Sequence, residues 1–182
     1  MCLTALDSFW HRSTLGGAAE LRPWLHDHGS LTQRIQQRCA QFAVHPIRSG
    51  LARIAYDEAA LLGIPPNQHA YSREVFLYAD GQPVVFAHST LAAVDLRGAW
   101  AAVSQLGSKP LGTLLFSHPL IRRMPLHFKA LCPHHPLYRR AIVHLPHPPS
   151  RLWARRSLFY LHQAPLLVTE VFLPEIFNLS VT

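Results

Sequence analysis

The chain has 182 residues, 49% hydrophobic and 15% charged, which suits one domain with a sizeable core and excludes a disordered protein. Its formal charge of +7 and pI near 9.9 favour an anionic partner, whether nucleic acid, a membrane surface or a small acidic metabolite. No apolar run approaches the roughly 20 residues that span a bilayer, and the start MCLTALDSFWHR lacks a basic segment leading into an apolar one, so neither membrane insertion nor a signal peptide is expected.

Leu21 to His28 is a short apolar segment, and Ser30 before Leu31-Thr32-Gln33 is a capping-box pattern that predicts a helix from about Leu31 to Cys39. The free amides at such a helix start suit an anion, although an ordinary capped surface helix reads the same way. Gln41 to Arg48 and Leu51 to Tyr56 read as two short strands around Ser49-Gly50. Asp57 to Ala70 reads as a helical turn and a loop broken by Pro65-Pro66-Asn67. Tyr71 to Tyr78 and Pro83 to Thr90 are rich in aromatic and β-branched residues, and Asp80-Gly81 between them signals a hairpin. Asp95 to Leu106 predicts a helix stopped by Gly107, and Pro110 to Phe116 a second with proline in its first turn. Ser117 to Ser150 is crowded with proline and histidine and reads as an irregular insertion with one helical turn. Ser157 to Leu161 and Leu166 to Leu173 are two further strands around a tight turn at His162 to Pro165. The pattern is α+β: a single domain over 1–182, with a roughly six-stranded antiparallel sheet and helices.

Cys2, Cys39 and Cys132 are odd in number and widely spaced, which predicts reduced thiols in a cytoplasm rather than a disulfide framework. The arginine doublets at 122–123, 139–140 and 155–156 read as solvated basic surface. His134, His135, His144 and His147 follow no familiar zinc spacing, and no metal is expected. No phosphate-binding glycine loop, GxSxG elbow or HExxH pair occurs.

Two charged residues stand where charge is costly. Arg73 shares its strand face with Val75 and Leu77, and Glu170 shares its face with Leu166, Val168 and Phe172. Leu167, Val171 and Leu173 make the other face of the Glu170 strand apolar too, so Glu170 is expected to be buried. Two readings follow. Arg73 and Glu170 neutralise each other or nearby partners in the core, or they furnish a closed polar pocket in which Arg73 grips a carboxylate and Glu170 acts as acid or base.

The blocks WLHDHGSLTQR, YSREVFLYADGQP, LGSKPLGTLLF, RLWARRS and PLLVTEVFLP, in this order from about Trp24 to Pro174, resemble the chorismate–pyruvate lyase family. The resemblance implies a six-stranded antiparallel sheet with helices and flaps closing over a buried ligand. It implies a lyase that eliminates pyruvate from chorismate to give 4-hydroxybenzoate for ubiquinone biosynthesis. It also implies a cytoplasmic monomer without cofactor or metal, and without a nucleic-acid partner. It carries the ligand-gripping arginine to Arg73, the acidic residue to Glu170, and two main-chain contacts to Leu31 and Leu111. Arg155 and Arg156 are lesser candidates for the pyruvyl carboxylate or for steering. The rival readings are an effector-sensing domain of the same fold, which binds a small aromatic acid without catalysis, and a basic nucleic-acid binder. Only about 20 residues precede Leu21, too few for the helix-turn-helix that usually accompanies such sensors.

Overall fold

Asp80 and Gly81 both take left-handed backbone angles, with φ of 49° and 80°, and make the two-residue turn expected between β2 (Ala70–Ala79) and β3 (Gln82–Ala92). The structure, a computed structural model, describes residues 9–14 and 19–179. Cys2 and the first residues of the chain, on which the signal-peptide reading partly rests, lie outside them. Asp80 also anchors the hairpin: its carboxylate accepts from the Gln41 N–H at 2.8 Å, and its own N–H donates to the Gln41 carbonyl at 2.8 Å.

That anchor starts β1 (Phe42–Ala52), one long strand where two short ones were expected. Ser49 and Gly50 continue the ladder opposite Arg73 and Ser72, and a bulge between Pro46 and Arg48 absorbs the irregularity. β1 is an edge strand, where a proline without an N–H does little harm.

The remaining strands are β4 (Ile121–Arg123), β5 (His127–Leu131), β6 (Leu152–Leu161) and β7 (Ala164–Phe172). All pairings are antiparallel in the order β1-β2-β3-β7-β6-β4, with β5 pairing the other end of β6. Among the described residues the sheet therefore has seven strands, where roughly six were expected. The extra pairing comes from Ser117 to Ser150, which holds β4, β5 and helix α5 (Pro136–Ala141) instead of running irregularly. Its prolines stand between these elements or, as with Pro136, in the first turn of the helix, where they break no hydrogen bond.

Four more short helices are α1 (Arg22–Leu25), α2 (Leu31–Gln36), α3 (Tyr56–Leu62) and α4 (Leu111–Ser117). Ser30 caps α2 as expected, its Oγ accepting from the Gln33 N–H at 3.3 Å, but the helix stops three residues short of Cys39. The helix expected over 95–106 is two 3-10 turns, Ala93–Arg97 and Ala101–Gln105, divided at Gly98. Tertiary anchoring overrides the local pattern there: Trp100 is fully buried and its Nε1 donates to the Ala164 carbonyl at 3.1 Å. Among the described residues no helix is long and apolar enough to cross a membrane.

Strand alternation divides the side chains between two covered faces. On one face, Val75 and Leu77 pack with Trp24, Leu25, Leu31 and Ile35 from α1 and α2, while Tyr71, Leu91 and Phe159 pack with Trp100, Leu111 and Leu115. On the other, Phe76, Phe86, Ala154 and Val171 pack with Leu137, Tyr138 and Ala141 of α5. Cys39 is a free thiol, but Cys132 is engaged in a disulfide, which corrects the expectation of three reduced cysteines.

Candidate active site

Between the two apolar clusters of the first face lies a cavity roofed by the starts of α2 and α4. The empty space among its lining atoms, open solvent included, is about 590 Å³. Leu31, Arg73, Leu111 and Glu170, singled out from the sequence, all line it. Leu31 and Leu111 are the first residues of their helices, so their N–H groups have no intrahelical acceptor. The two helix starts touch: a Cβ on Gly112 would stand 3.0 Å from Thr32 Oγ1 and 3.2 Å from Ser30 Oγ.

Arg73 and Glu170 do not pair with each other. β3 runs between their strands, so their backbones stand about 12 Å apart. Arg73 is buried, and its Nη2 donates to the carbonyls of Gly107 and Lys109, each at 3.0 Å. Its other nitrogens make no hydrogen bond among the described residues, which leaves part of the guanidinium for a ligand. Burial pulls its pKa down from the ordinary arginine value.

Glu170 is less enclosed than its strand pattern implies: its side chain is 17% exposed, because it opens onto the cavity. Its partner is Arg155, directly opposite on β6, whose Nε donates to Glu170 Oε2 at 2.5 Å. Oε1 has no hydrogen-bond donor among the described residues. Arg155 is 1% exposed, and its Nη1 donates to the Trp24 carbonyl at 2.8 Å and the Asp27 carbonyl at 2.7 Å. One guanidinium thus holds the carboxylate and fastens the chain between α1 and α2 over the sheet. Asp27 reinforces that segment, accepting from the Gly29 N–H at 2.7 Å and from Arg34 at 2.6 Å. Burial alone would raise the Asp27 pKa, but the hydrogen bonds from Arg34 and the Gly29 N–H and the charges of Arg34 and Arg155 together outweigh it, and the net direction is down.

Arg156 points to the opposite side of the sheet, paired with Asp57 at 2.6 Å and lying over the Trp10 ring. With Arg156 turned away and Arg155 held by Glu170, neither lesser candidate offers a free cation to the cavity. Arg123 does, and sequence reasoning missed it. It ends β4 opposite Phe159, lies 5.3 Å from the Phe159 ring and 5.6 Å from the Phe116 ring, and lines the cavity. Its Nη1 donates to the His28 carbonyl at 2.9 Å, while its buried Nε has no hydrogen-bond partner among the described residues. Burial pulls its pKa down to about 10, so it stays charged at neutral pH. Neither the Arg122-Arg123 doublet nor a three-residue strand marked it as inward-facing. Val75, Leu77, Ala87, Leu115, Phe159 and Val168 supply apolar walls suited to a ring.

Two of the histidines in the proline-rich stretch have structural uses. His135 caps α5 through Nδ1, which accepts from the Leu137 N–H at 3.2 Å, and His144 meets the Phe76 ring edge-on.

The sequence profile of the family described as Chorismate lyase matches residues 7–182. A relative from Nitrosomonas europaea, named "Probable chorismate pyruvate-lyase", is 50% identical over 167 residues, covering 92% of this chain and 94% of its own. A relative of the same name from Aromatoleum aromaticum is 51% identical over 163 residues, covering 88% of each chain. Among solved structures, the effector domain of PhnF from Mycobacterium smegmatis matches with a TM-score of 0.58 at 15% identity, over 81% of this chain and 90% of that one. A GntR-family transcriptional regulator from Bacillus cereus matches with a TM-score of 0.56 at 14% identity, over 79% and 99%. At such identity these two likenesses concern the fold alone.

Proposed function

This chain belongs to the chorismate lyase family, and from that premise we infer that it eliminates pyruvate from chorismate to give 4-hydroxybenzoate. The observation that carries this reading is the cavity in which Arg73 and Glu170 stand apart, each with polar atoms left for a ligand, between apolar walls.

Chorismate is a cyclohexadiene with a ring carboxylate, a ring hydroxyl and, on the carbon next to the hydroxyl, an enolpyruvyl ether. In the elimination the ring C–O bond of the ether breaks and the hydrogen on the hydroxyl-bearing carbon leaves as a proton. The C–H electron pair becomes the third ring double bond, and the ether electron pair departs with the enolpyruvate. The enolpyruvate takes up a proton and becomes pyruvate. The ring gains aromaticity and no net electron transfer occurs, so the reaction asks for no redox cofactor. The protein must hold a dianion in a reactive shape and manage one proton.

Arg73 binds the ring carboxylate through the nitrogens that its carbonyl contacts leave over, and the N–H groups of Leu31 and Leu111 complete that end. Glu170, two strands away, contacts the ring hydroxyl and serves the neighbouring proton transfer through Oε1, with Arg155 fixing its carboxylate through Oε2. The product enters ubiquinone biosynthesis as its aromatic ring.

The test is to incubate the purified protein with chorismate in metal-chelated buffer and follow 4-hydroxybenzoate and pyruvate together. Equimolar appearance is expected. Binding of 4-hydroxybenzoate without turnover would replace the lyase by a sensor of the same fold.

A further inference from the structure

Among the described residues, three guanidinium groups line the cavity, those of Arg73, Arg123 and Arg155, against one carboxylate, Glu170. Arg155 and Glu170 pair. Two positive charges remain, on Arg73 and Arg123, on opposite sides of Glu170. Across the sheet the order is Arg73 on β2, then β3, Glu170 on β7, β6, and Arg123 on β4. Chorismate presents its polar groups in a matching order: ring carboxylate, then the adjoining hydroxyl and ether, then the carboxylate of the enolpyruvyl arm.

Resting on the lyase reading above, we propose that Arg123 grips the enolpyruvyl carboxylate and so separates substrate from product. Three observations support it. The buried Nε of Arg123 lacks an acceptor among the described residues, and a donor left so in a protein interior is a defect that a ligand oxygen would repair. The group is aimed rather than loose, because its Nη1 donates to the His28 carbonyl and its plane is flanked by Phe116 and Phe159. No acidic side chain forms an ion pair with it among the described residues, whereas Arg155 and Arg156 each have one. After cleavage, 4-hydroxybenzoate keeps the Arg73 and Glu170 end, and only pyruvate keeps Arg123. A charge that touches substrate and leaving group, but not the aromatic product, raises discrimination between them.

The experiment compares chorismate turnover with 4-hydroxybenzoate binding in wild type, Arg123→Gln and Arg123→Lys, with melting temperature as the check on folding. In Arg123→Gln the KM for chorismate should rise about 30-fold or more, while the Kd of 4-hydroxybenzoate moves less than about 3-fold. Arg123→Lys, which keeps the charge, should recover part of the loss. A parallel rise of KM and Kd, or no rise in KM, overturns the proposal. A second measurement needs no variant: 3-(carboxymethoxy)benzoate should compete with chorismate on wild-type protein about tenfold better than its ester on the oxyacetate arm. Equal inhibition by acid and ester overturns the proposal as well. If wild-type protein forms no 4-hydroxybenzoate from chorismate, it is the lyase reading that fails, and the acid–ester comparison repeated against bound 4-hydroxybenzoate still decides whether Arg123 holds a second carboxylate.

Discussion

Arg155 and Glu170 face each other as a direct cross-strand pair of β6 and β7, and the same guanidinium that holds the carboxylate also holds the Trp24 and Asp27 carbonyls. Site and scaffold therefore share one side chain. Replacing Arg155 by Met strands a largely enclosed carboxylate and frees the segment ahead of α2. Breaking such a pair from one side costs about 3–5 kcal/mol, or roughly 6–20 °C of melting temperature for a chain of this size. Glu170→Gln keeps the shape and an acceptor for Arg155. It should melt close to wild type while kcat falls roughly 10²–10⁴-fold. Thermal melts beside steady-state rates check both. An unchanged melt for Arg155→Met would mean that the pair contributes nothing to stability, and a full rate for Glu170→Gln would remove the carboxylate from the chemistry.

Arg73 is engaged on one side only, by the carbonyls of Gly107 and Lys109 just ahead of α4. Arg73→Ala removes the carboxylate grip and loosens that approach. The expected loss is about 2–5 kcal/mol of transition-state stabilisation, read as kcat/KM. Arg73→Lys keeps a charge but not the planar fork, and should fall between the two. Near-wild-type kinetics in Arg73→Ala would dissociate Arg73 from substrate.

How much of this was legible in the sequence depended on whether a residue's environment was written in its neighbours. Arg73 and Glu170 stood out because long strands with alternating or continuous apolar residues make a charge conspicuous, and both line the cavity. The hairpin at Asp80-Gly81 was equally local. Arg123 was hidden because β4 has three residues, too few to show a period, and its cross-strand partner is the distant Phe159 of β6. The two inward roles of Arg155 were hidden for a similar reason: its carbonyl acceptors lie about 130 positions away. Trp100 breaks the predicted helix over 95–106 through a hydrogen bond to Ala164, another contact that no local window contains.

Gly112 marks the closest approach of the two helix starts, and alanine there sets helix propensity against space. Alanine is favoured by about 1 kcal/mol inside a helix, but its Cβ would press on Thr32 Oγ1 at 3.0 Å and Ser30 Oγ at 3.2 Å. Gly112→Ala should therefore leave the melting temperature within about 3 °C of wild type, while α2 and α4 part slightly. If these helix starts close over the ligand, 4-hydroxybenzoate should dissociate several-fold faster. Stopped-flow tryptophan fluorescence measures that rate, and an unchanged rate would mean that the contact does not limit release.

On the face of the sheet away from the cavity, His88 is buried between two carboxylates. Its Nδ1 lies 3.0 Å from Glu74 Oε1, directly across β2 and β3, and its Nε2 lies 3.1 Å from Glu58 Oε1 on α3, off the line of a hydrogen bond. Arg140 of α5 pairs with Glu74 from the far side. Burial works against the imidazolium, but Glu58 and Glu74 together prevail and the His88 pKa is raised. Burial likewise works against both carboxylates, yet His88 and Arg140 carry their pKa values down. A raised histidine stabilises the fold fully below its unfolded pKa of about 6.5 and loses that contribution as pH climbs through the folded value. The two lowered carboxylates stabilise above about 4.5 and fail as pH drops through their folded values. The cluster thus contributes most between about pH 4.5 and 6.5. Histidines shifted the other way, such as His135 with its pKa lowered to about 4, act against the fold in that same window. The informative quantity is therefore the difference in melting temperature between wild type and His88→Gln. It should be largest between about pH 4.5 and 6.5 and shrink steadily on the alkaline side. A difference independent of pH would show that folding leaves the His88 pKa unshifted, and one that shrinks on the acid side would show that His88 is neutral in the folded chain.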